Sequence, residues 1–295
     1  MYQFFEPNET ELKQIIAETI KESDTVIGTH VIPTGWTNIT VDVHGEKSDY
    51  IFRFPRNLFF AKMMVKDCTI CQCLRGKTTI QIPDIRLMSH QNRPFSMHHK
   101  IKGRALTDVM EDMTENNREQ IVADMALFLS ELHRLPTDLL PAAVTESLND
   151  FLTGLATVHQ GHYDLRHHHD LMMLEQQTPK SCIVHGDFNP GNILVGDDCR
   201  VSGIIDFSFV SVSDPHADIG RFVGRSDPRW GQALIEAYQA QTHLVCNREK
   251  VQQIVDLFKY VECKYVEYMQ QSHPEIVIPT SVLKMASVEK QKYAI

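Results

Sequence analysis

The stretch His185-Gly186-Asp187-Phe188-Asn189-Pro190-Gly191-Asn192-Ile193-Leu194 is followed, fourteen residues after Asn192, by Ile204-Ile205-Asp206-Phe207. An apolar strand, Cys182–His185, leads into the first segment, and strands at Ile193–Val195 and Val201–Ile205 follow it. Asp187, Asn192 and Asp206 therefore fall on tight loops at strand ends. Two aspartates and an asparagine so placed supply hard oxygen ligands and a base in one small space, which suits Mg²⁺ and phosphate oxygens. On the residues alone, Asp187 is a candidate base that orients and deprotonates a hydroxyl, and Asn192 and Asp206 are candidate metal ligands. Any one of the three, taken singly, reads as a turn residue; their joint spacing carries the chemical reading.

The chain before this stretch has a different texture. Asn8 is placed to cap a helix whose apolar positions, Leu12, Ile15, Ile16 and Ile20, recur at 3.6-residue spacing. Residues 25–32, 39–43 and 50–54 are rich in β-branched and aromatic residues and read as strands, with the turn formers Pro33–Asn38 between the first two and Pro55 stopping the third. A helix is expected within 58–74, then short strands near 85–90 and 95–101. From Arg104 onward the pattern is mostly helical. Ile121, Met125, Phe128, Leu129, Leu132 and Leu135 form one stripe on a long helix closed by Pro136, and residues 146–176 read as further helix. The fold class expected is α+β and bilobal: a small lobe over 1–99 with an antiparallel sheet and helix, a connector at 100–103, and a larger helical lobe over 104–295.

Composition narrows the function classes. With 295 residues, 42% hydrophobic and 23% charged, the chain can bury a proper core in one large or two coupled domains. A net charge of −9 disfavours sequence-independent nucleic-acid binding, which needs a cationic surface. Residues 104–200 carry 16 acidic and 6 basic side chains, whereas residues 1–103 carry 11 and 13, so an anionic ligand suits the first third and a cationic one the middle. The odd set of seven cysteines is unlike a secreted disulfide framework. No stretch approaches 18 consecutive apolar residues and the N-terminus is acidic, so a cytoplasmic protein without membrane or nucleic-acid partners, monomeric or weakly dimeric, is expected. Cys68, Cys71 and Cys73 read as packed thiols rather than a zinc site, which needs four converging ligands. His159, His162 and His167–His169 read as a solvated helix end.

The motif H-G-D-x-x-x-x-N, then I-D-F, then Asp214-Pro215-His216-Ala217-Asp218-Ile219-Gly220, resembles the aminoglycoside phosphotransferase and choline kinase-like family, small-molecule relatives of the protein kinases. Upstream, Gly35-Trp36-Thr37-Asn38 resembles that family's nucleotide loop, Tyr50–Arg56 its lysine-bearing strand and Lys100–Gly103 its interlobe connector, with most likeness to the 2″-phosphotransferase branch. The resemblance covers residues 25 to 225. It implies that Asp187 is the catalytic base, that Asn192 and Asp206 bind Mg²⁺, and that Asp218 braces the catalytic loop. It further implies that Gly35 and Asn38 lie on the nucleotide phosphates, that the Lys100–Ile101 backbone meets the purine, and that Leu194 and Ile205 form the floor beneath it. Two positions depart from the pattern: Arg53 stands where the family has its phosphate-binding lysine, and Asp67 where it has the partner glutamate. Both charge signs survive, and a guanidinium fork suits phosphate oxygens, although Lys62 or Lys66 could serve instead.

The implied activity is a kinase using ATP or GTP as co-substrate, a phosphotransferase with an alcohol acceptor, and for an aminoglycoside acceptor an antibiotic-resistance enzyme. Asp214, Glu262 and Glu267, with the tyrosines near the last two, are candidate contacts to a cationic or sugar-like acceptor. Choline, homoserine, fructosamine and macrolide kinases share the scaffold, so the acceptor stays open at this level. Two other readings compete: a nucleotide-binding module without transfer, suggested by Arg53 and Asp67, and a metallohydrolase using the His-rich segment.

Overall fold

A computed structural model describes residues 9–32, 37–142, 181–272 and 283. In the N-terminal part, helix α1 (Glu9–Ile20) precedes strands β1 (Val26–Ile32), β2 (Asn38–Gly45) and β3 (Asp49–Pro55), helix α2 (Leu58–Leu74), and strands β4 (Arg86–His90) and β5 (Arg93–His99). The strands form one antiparallel sheet in the order β1-β2-β3-β5-β4. Alternation along β3 assigns the two faces. Tyr50, Phe52 and Phe54 join Phe95, Met97 and the buried α1 stripe Leu12, Ile15, Ile16 and Ile20 in one core. Ile51 and Arg53 point the other way, opposite His98 and Ser96 of β5. Helix α2 starts on Asn57, whose side chain accepts from the Phe60 amide at 3.0 Å.

Residues Lys100–Gly103 lead from β5 to β6 (Arg104–Ala105), and the long helix α3 (Glu115–Arg134) runs from a Thr114 cap to just before Pro136. Strands β7 (Cys182–Val184), β8 (Ile193–Val195), β9 (Val201–Ile204) and β10 (Ser211–Ser213) follow, then helices α4 (His216–Val223), α5 (Pro228–Thr242) and α6 (Arg248–Ser272). Two small sheets, β10-β7 and β6-β8-β9, carry the loops that matter. β10 was not expected from the sequence: three half-buried residues, Ser-Val-Ser, offer too short a period to read, and the pairing with β7 makes the strand.

The main core centres on α3. Phe128 stacks on Phe188 at 6.0 Å and meets Phe207 edge-on at 6.4 Å, so the two aromatic residues that follow Asp187 and Asp206 are packed against one helix. Cys68, Ile70, Cys71 and Leu74 of α2 belong to this same core rather than to that of the sheet above. The first helix after β3 is thereby rooted in the helical half, which fixes the walls of the cleft between them. The thiols of Cys68, Cys71, Cys73, Cys182, Cys199 and Cys246 are free. Burial pushes Cys182 up to about 12 and Cys246 to about 11, so these are packing residues. No helix among the described residues is long and apolar enough to cross a membrane. The expected helix over 146–176, the histidines at 159–169, and Gly35 and Trp36 lie outside the described residues.

Asp24 ties α1 to the β2–β3 turn. It accepts from the amides of Thr25 (2.8 Å), Lys47 (3.0 Å) and Ser48 (3.0 Å) and from the Tyr50 hydroxyl (3.1 Å). Burial raises its pKa, but these donors outweigh it, and the net shift is below the ordinary 3.8. A depressed carboxylate stabilises the fold above its unfolded pKa and loses that contribution as pH falls through the folded value. Asp24→Asn should therefore lower the urea midpoint at neutral pH, with the gap to wild type closing below pH 3.8; urea titrations across pH check this.

Candidate active site

Gly186 opens the loop that carries Asp187 at φ +77°, and a Cβ there would sit 2.2 Å from the Phe209 carbonyl oxygen, so only glycine makes this turn. The turn is held from below by Asp218 of α4, which is fully buried. Its Oδ2 accepts from the His185 amide (2.8 Å) and from His133 Nε2 (3.0 Å), and its Oδ1 from the Gly186 amide (2.8 Å). His185 is structural as well: Nε2 donates to the Ile205 carbonyl at 3.2 Å, and Nδ1 accepts from the Asp187 amide at 3.3 Å. One imidazole thus links the two loops that carry Asp187 and Asp206.

The loop then folds onto Asp187. Asn189 caps the turn at Gly191 (2.8 Å), and Asn192 Nδ2 donates to both the Asp187 carbonyl and its Oδ2, each at 2.9 Å. These contacts use the amide nitrogen of Asn192 and leave its oxygen for a cation. Asp206 adopts φ +65°, a left-handed conformation that aspartate tolerates better than most residues, and Ser208 Oγ donates to its Oδ1 at 2.6 Å. Burial raises the pKa of Asp206; Asp67 and Asp187 raise it further, and Arg53 opposes them. Crowded carboxylate charge of this kind is what a divalent cation relieves. Among the described residues no three His, Cys, Asp or Glu converge as a metal cluster. A Mg²⁺ held by one or two protein oxygens plus phosphates needs no such cluster, so Asn192 and Asp206 fit that ion.

Above this loop, Arg53 Nη2 lies 2.6 Å from Asp67 Oδ2, both side chains nearly buried. Burial lowers the guanidinium pKa, but Asp67 and Asp206 raise it on balance, so the charge is kept. Asp67 Oδ1 also accepts from the Phe207 amide at 3.0 Å, which joins the pair to the Asp206 loop. Arg53 and Asp67 therefore meet as the charge signs suggested. Of the two alternative cations on α2, Lys62 is exposed and Lys66 half-buried, and neither lines the cleft.

Arg53, Asp67, Asp187, Asn189, Asn192 and Asp206 line one cleft of about 650 Å³, with Asp218 and His185 supporting the loop from behind it. Asp187, Asn192, Asp206, Arg53 and Asp67 face it at one end. Asn38, Lys100, Ile101, Leu194 and Ile205 line the same cleft. The Lys100 amide donates to the Asp49 carbonyl at 2.8 Å and its Nζ pairs with Asp42 at 2.5 Å, so of this residue only the carbonyl side remains for a base.

Three candidate acceptor contacts fare differently. Asp214 does not line the cleft: its Oδ1 accepts from the His216 amide and pairs with the ring Nδ1, and Lys250 Nζ pairs with its Oδ2 at 2.8 Å. Burial raises its pKa, but His216 and Lys250 hold it well below the usual carboxylate range. It is a structural ion pair, formed because α6 brings Lys250 over the start of α4. Glu267 is part-buried on α6 and is also absent from the lining. The Glu262 side chain and Gly35 lie outside the described residues.

Arg221 and His98 were not anticipated. Arg221 Nε and Nη2 both reach Asp187 Oδ1, at 2.7 and 2.6 Å, and its guanidinium lies 4.7 Å over the Phe258 ring. It follows Asp218 by three residues on α4, a helical spacing, but a single arginine in an amphipathic helix gives no sequence signal of its target. His98, also in the lining, is buried on β5.

A model of the phosphotransferase enzyme family matches residues 29–251. The aminoglycoside 3'-phosphotransferase of Streptomyces fradiae is 30% identical over 149 residues, covering 43% of this chain. That match spans 54% of the relative, about half its length. Among solved structures, the GDP complex of wild-type aminoglycoside 2'-phosphotransferase-IIIa aligns with a TM-score of 0.71 at 18% identity, over 97% of this chain and 100% of that one. A macrolide 2'-phosphotransferase type I aligns at 0.65 and 15% identity, over 96% and 97%. At such identities the structural matches speak to the fold.

Replacing Asp218 leaves three buried donors without an acceptor, each costing about 1–3 kcal/mol. Asp218→Ala is expected to destabilise the chain by about 3 kcal/mol or more, read from urea unfolding; a loss under about 1 kcal/mol would show that the carboxylate does not hold the loop.

Proposed function

The chain belongs to the phosphotransferase enzyme family, and from that premise we propose that its cleft moves the γ-phosphoryl group of ATP or GTP onto a hydroxyl of a small molecule, with an aminoglycoside as acceptor. The observation that carries this reading is the convergence of Asp187, Asn192 and Asp206 with the Arg53–Asp67 pair on one cleft. The acceptor oxygen bonds to the γ-phosphorus, the bond to the β–γ bridging oxygen breaks, and the nucleoside diphosphate leaves. The acceptor proton passes to the Asp187 carboxylate. Transfer through a loose transition state asks the protein for alignment and charge neutralisation more than covalent help. Arg53 offers its fork to the phosphate oxygens, and Asp67 keeps that fork in place. Asn192 and Asp206 would hold Mg²⁺, which supplies positive charge to the terminal phosphates.

The aminoglycoside assignment rests on the relatives' names and on the acidic middle third of the chain. One observation favours a second acceptor class. Arg221 and Arg225 of the α4 region both line the cleft, with Arg221 directly on Asp187. Two guanidinium groups near the reacting hydroxyl repel a polycation, and a neutral hydroxylated acceptor of the macrolide type suits them better.

The deciding experiment is an acceptor panel assayed for nucleotide consumption with ATP and with GTP. Asp187→Asn should lower kcat for the preferred acceptor by on the order of 10²–10⁴ while nucleotide affinity is retained; near-normal turnover in that variant removes Asp187 from the mechanism. Salt separates the acceptor classes: KM for a polycationic acceptor should rise with ionic strength, because screening weakens its attraction, whereas KM for a neutral acceptor should stay flat.

A further inference from the structure

One polar side chain in the cleft is not used by the phosphate chemistry. His98 stands directly across from Ile51 in the β3–β5 pair, on the sheet face that also carries Arg53. It lines the cleft near Ile101 and is 8% exposed. Its Nδ1 lies 2.8 Å from the His99 carbonyl oxygen. A carbonyl only accepts, so Nδ1 carries the proton. Burial, and after it the charge of Arg53, push the imidazole pKa down to about 4, so the ring is neutral at physiological pH. A neutral imidazole protonated at Nδ1 presents Nε2 as an acceptor. Nε2 has no partner among the described residues, and it is not sealed in the protein as Asn38 Oδ1 and Ser96 Oγ are.

We propose that His98 selects adenine over guanine nucleotides, its Nε2 accepting a hydrogen bond from the 6-amino group of the base. The inference rests on the nucleotide-binding reading above and narrows it. In a purine nucleotide the ribose leaves from N9, and the 6-substituent lies at the opposite end of the ring system. With the phosphates drawn to Arg53 and to the Mg²⁺ that Asn192 and Asp206 would hold, and the base over Leu194 and Ile205, that far end would be directed at the wall formed by Ile51, His98 and Ile101. Adenine offers an N–H donor there. Guanine offers a carbonyl oxygen, which would face the Nε2 lone pair and leave two desolvated acceptors with no proton between them. The ring cannot answer by changing tautomer: moving the proton to Nε2 would set the Nδ1 lone pair against the His99 carbonyl at 2.8 Å. A site built to pair one donor rejects the analogue lacking it because its own buried group is then left unpaired.

The test is equilibrium binding of ATP, ITP and GTP to the full chain with Mg²⁺ present, followed by calorimetry. ITP isolates position 6, since it carries the oxo group without the 2-amino group of GTP. ATP is expected to bind on the order of 10–100-fold more tightly than either. His98→Leu, which removes both ring nitrogens and keeps bulk, should weaken ATP and bring the ATP:ITP ratio towards unity. Should that variant not fold, His98→Gln serves, since its amide can turn to donate or accept and should likewise equalise the two. ITP or GTP binding as tightly as ATP to wild type overturns the assignment of His98, as does an unchanged ATP:ITP ratio in a folded variant, and both leave the phosphotransferase reading standing. Absence of all nucleotide binding overturns the two together.

Discussion

Asp67 is the one buried carboxylate on which the cleft depends. It sits on α2, takes the guanidinium of Arg53 from β3 on one oxygen, and takes the Phe207 amide from the Asp206 loop on the other. Sheet, helix and catalytic half are therefore joined at a single side chain. Removing two opposite charges from water is costly, and a buried pair holds only where geometry and additional hydrogen bonds offset the desolvation. Here the offset comes from the Phe207 amide and from the neighbouring Asp206. The arrangement has a directional consequence. Arg53 cannot swing out of the cleft without leaving Asp67 uncompensated.

The catalytic loop follows a second economy of charge. Asp218 spends both oxygens on the loop backbone and His133, and so fixes the turn that Gly186 alone can make. Asp187, one turn further on, is gripped on one oxygen by Arg221 and on the other by Asn192. This carboxylate is thereby held in a single orientation by groups from two elements. Such pre-positioning is the main lever available in phosphoryl transfer, where the protein aligns groups rather than forming bonds to them.

Much of this was legible in the chain. Asp187, Asn192 and Asp206 could be read because their spacing is local: each lies at the end of a short apolar strand, and strand ends with turn residues leave few alternatives. The helix stripes of α1 and α3 were likewise plain, since burial of one face imposes a 3.6-residue period. Arg53 and Asp67, fourteen residues apart, were recoverable by charge sign and by resemblance, but their contact was not. Arg221 was missed because its partner lies 34 residues earlier and no periodicity links them. His98 was missed because a lone histidine within a short strand does not say which side of the sheet borders a cleft or which nitrogen is protonated. Asp214, read as an acceptor contact, proved to be a structural partner of Lys250, a residue that only the packing of α6 on α4 brings near.

Local pattern, then, was enough to specify which residues belong to helices and strands and to single out three oxygen-bearing side chains that meet in one cleft, because hydrophobic periodicity and turn geometry act over a few residues at a time. Tertiary structure alone decided which distant groups meet: that Asp67 and not solvent receives Arg53, that Arg221 rests on Asp187, that Asp214 is occupied elsewhere, and that His98 lines the cleft with its Nδ1 on the His99 carbonyl. Ion pairs and tautomers are set by distance and desolvation in three dimensions, and neither quantity is written in the order of residues along the chain.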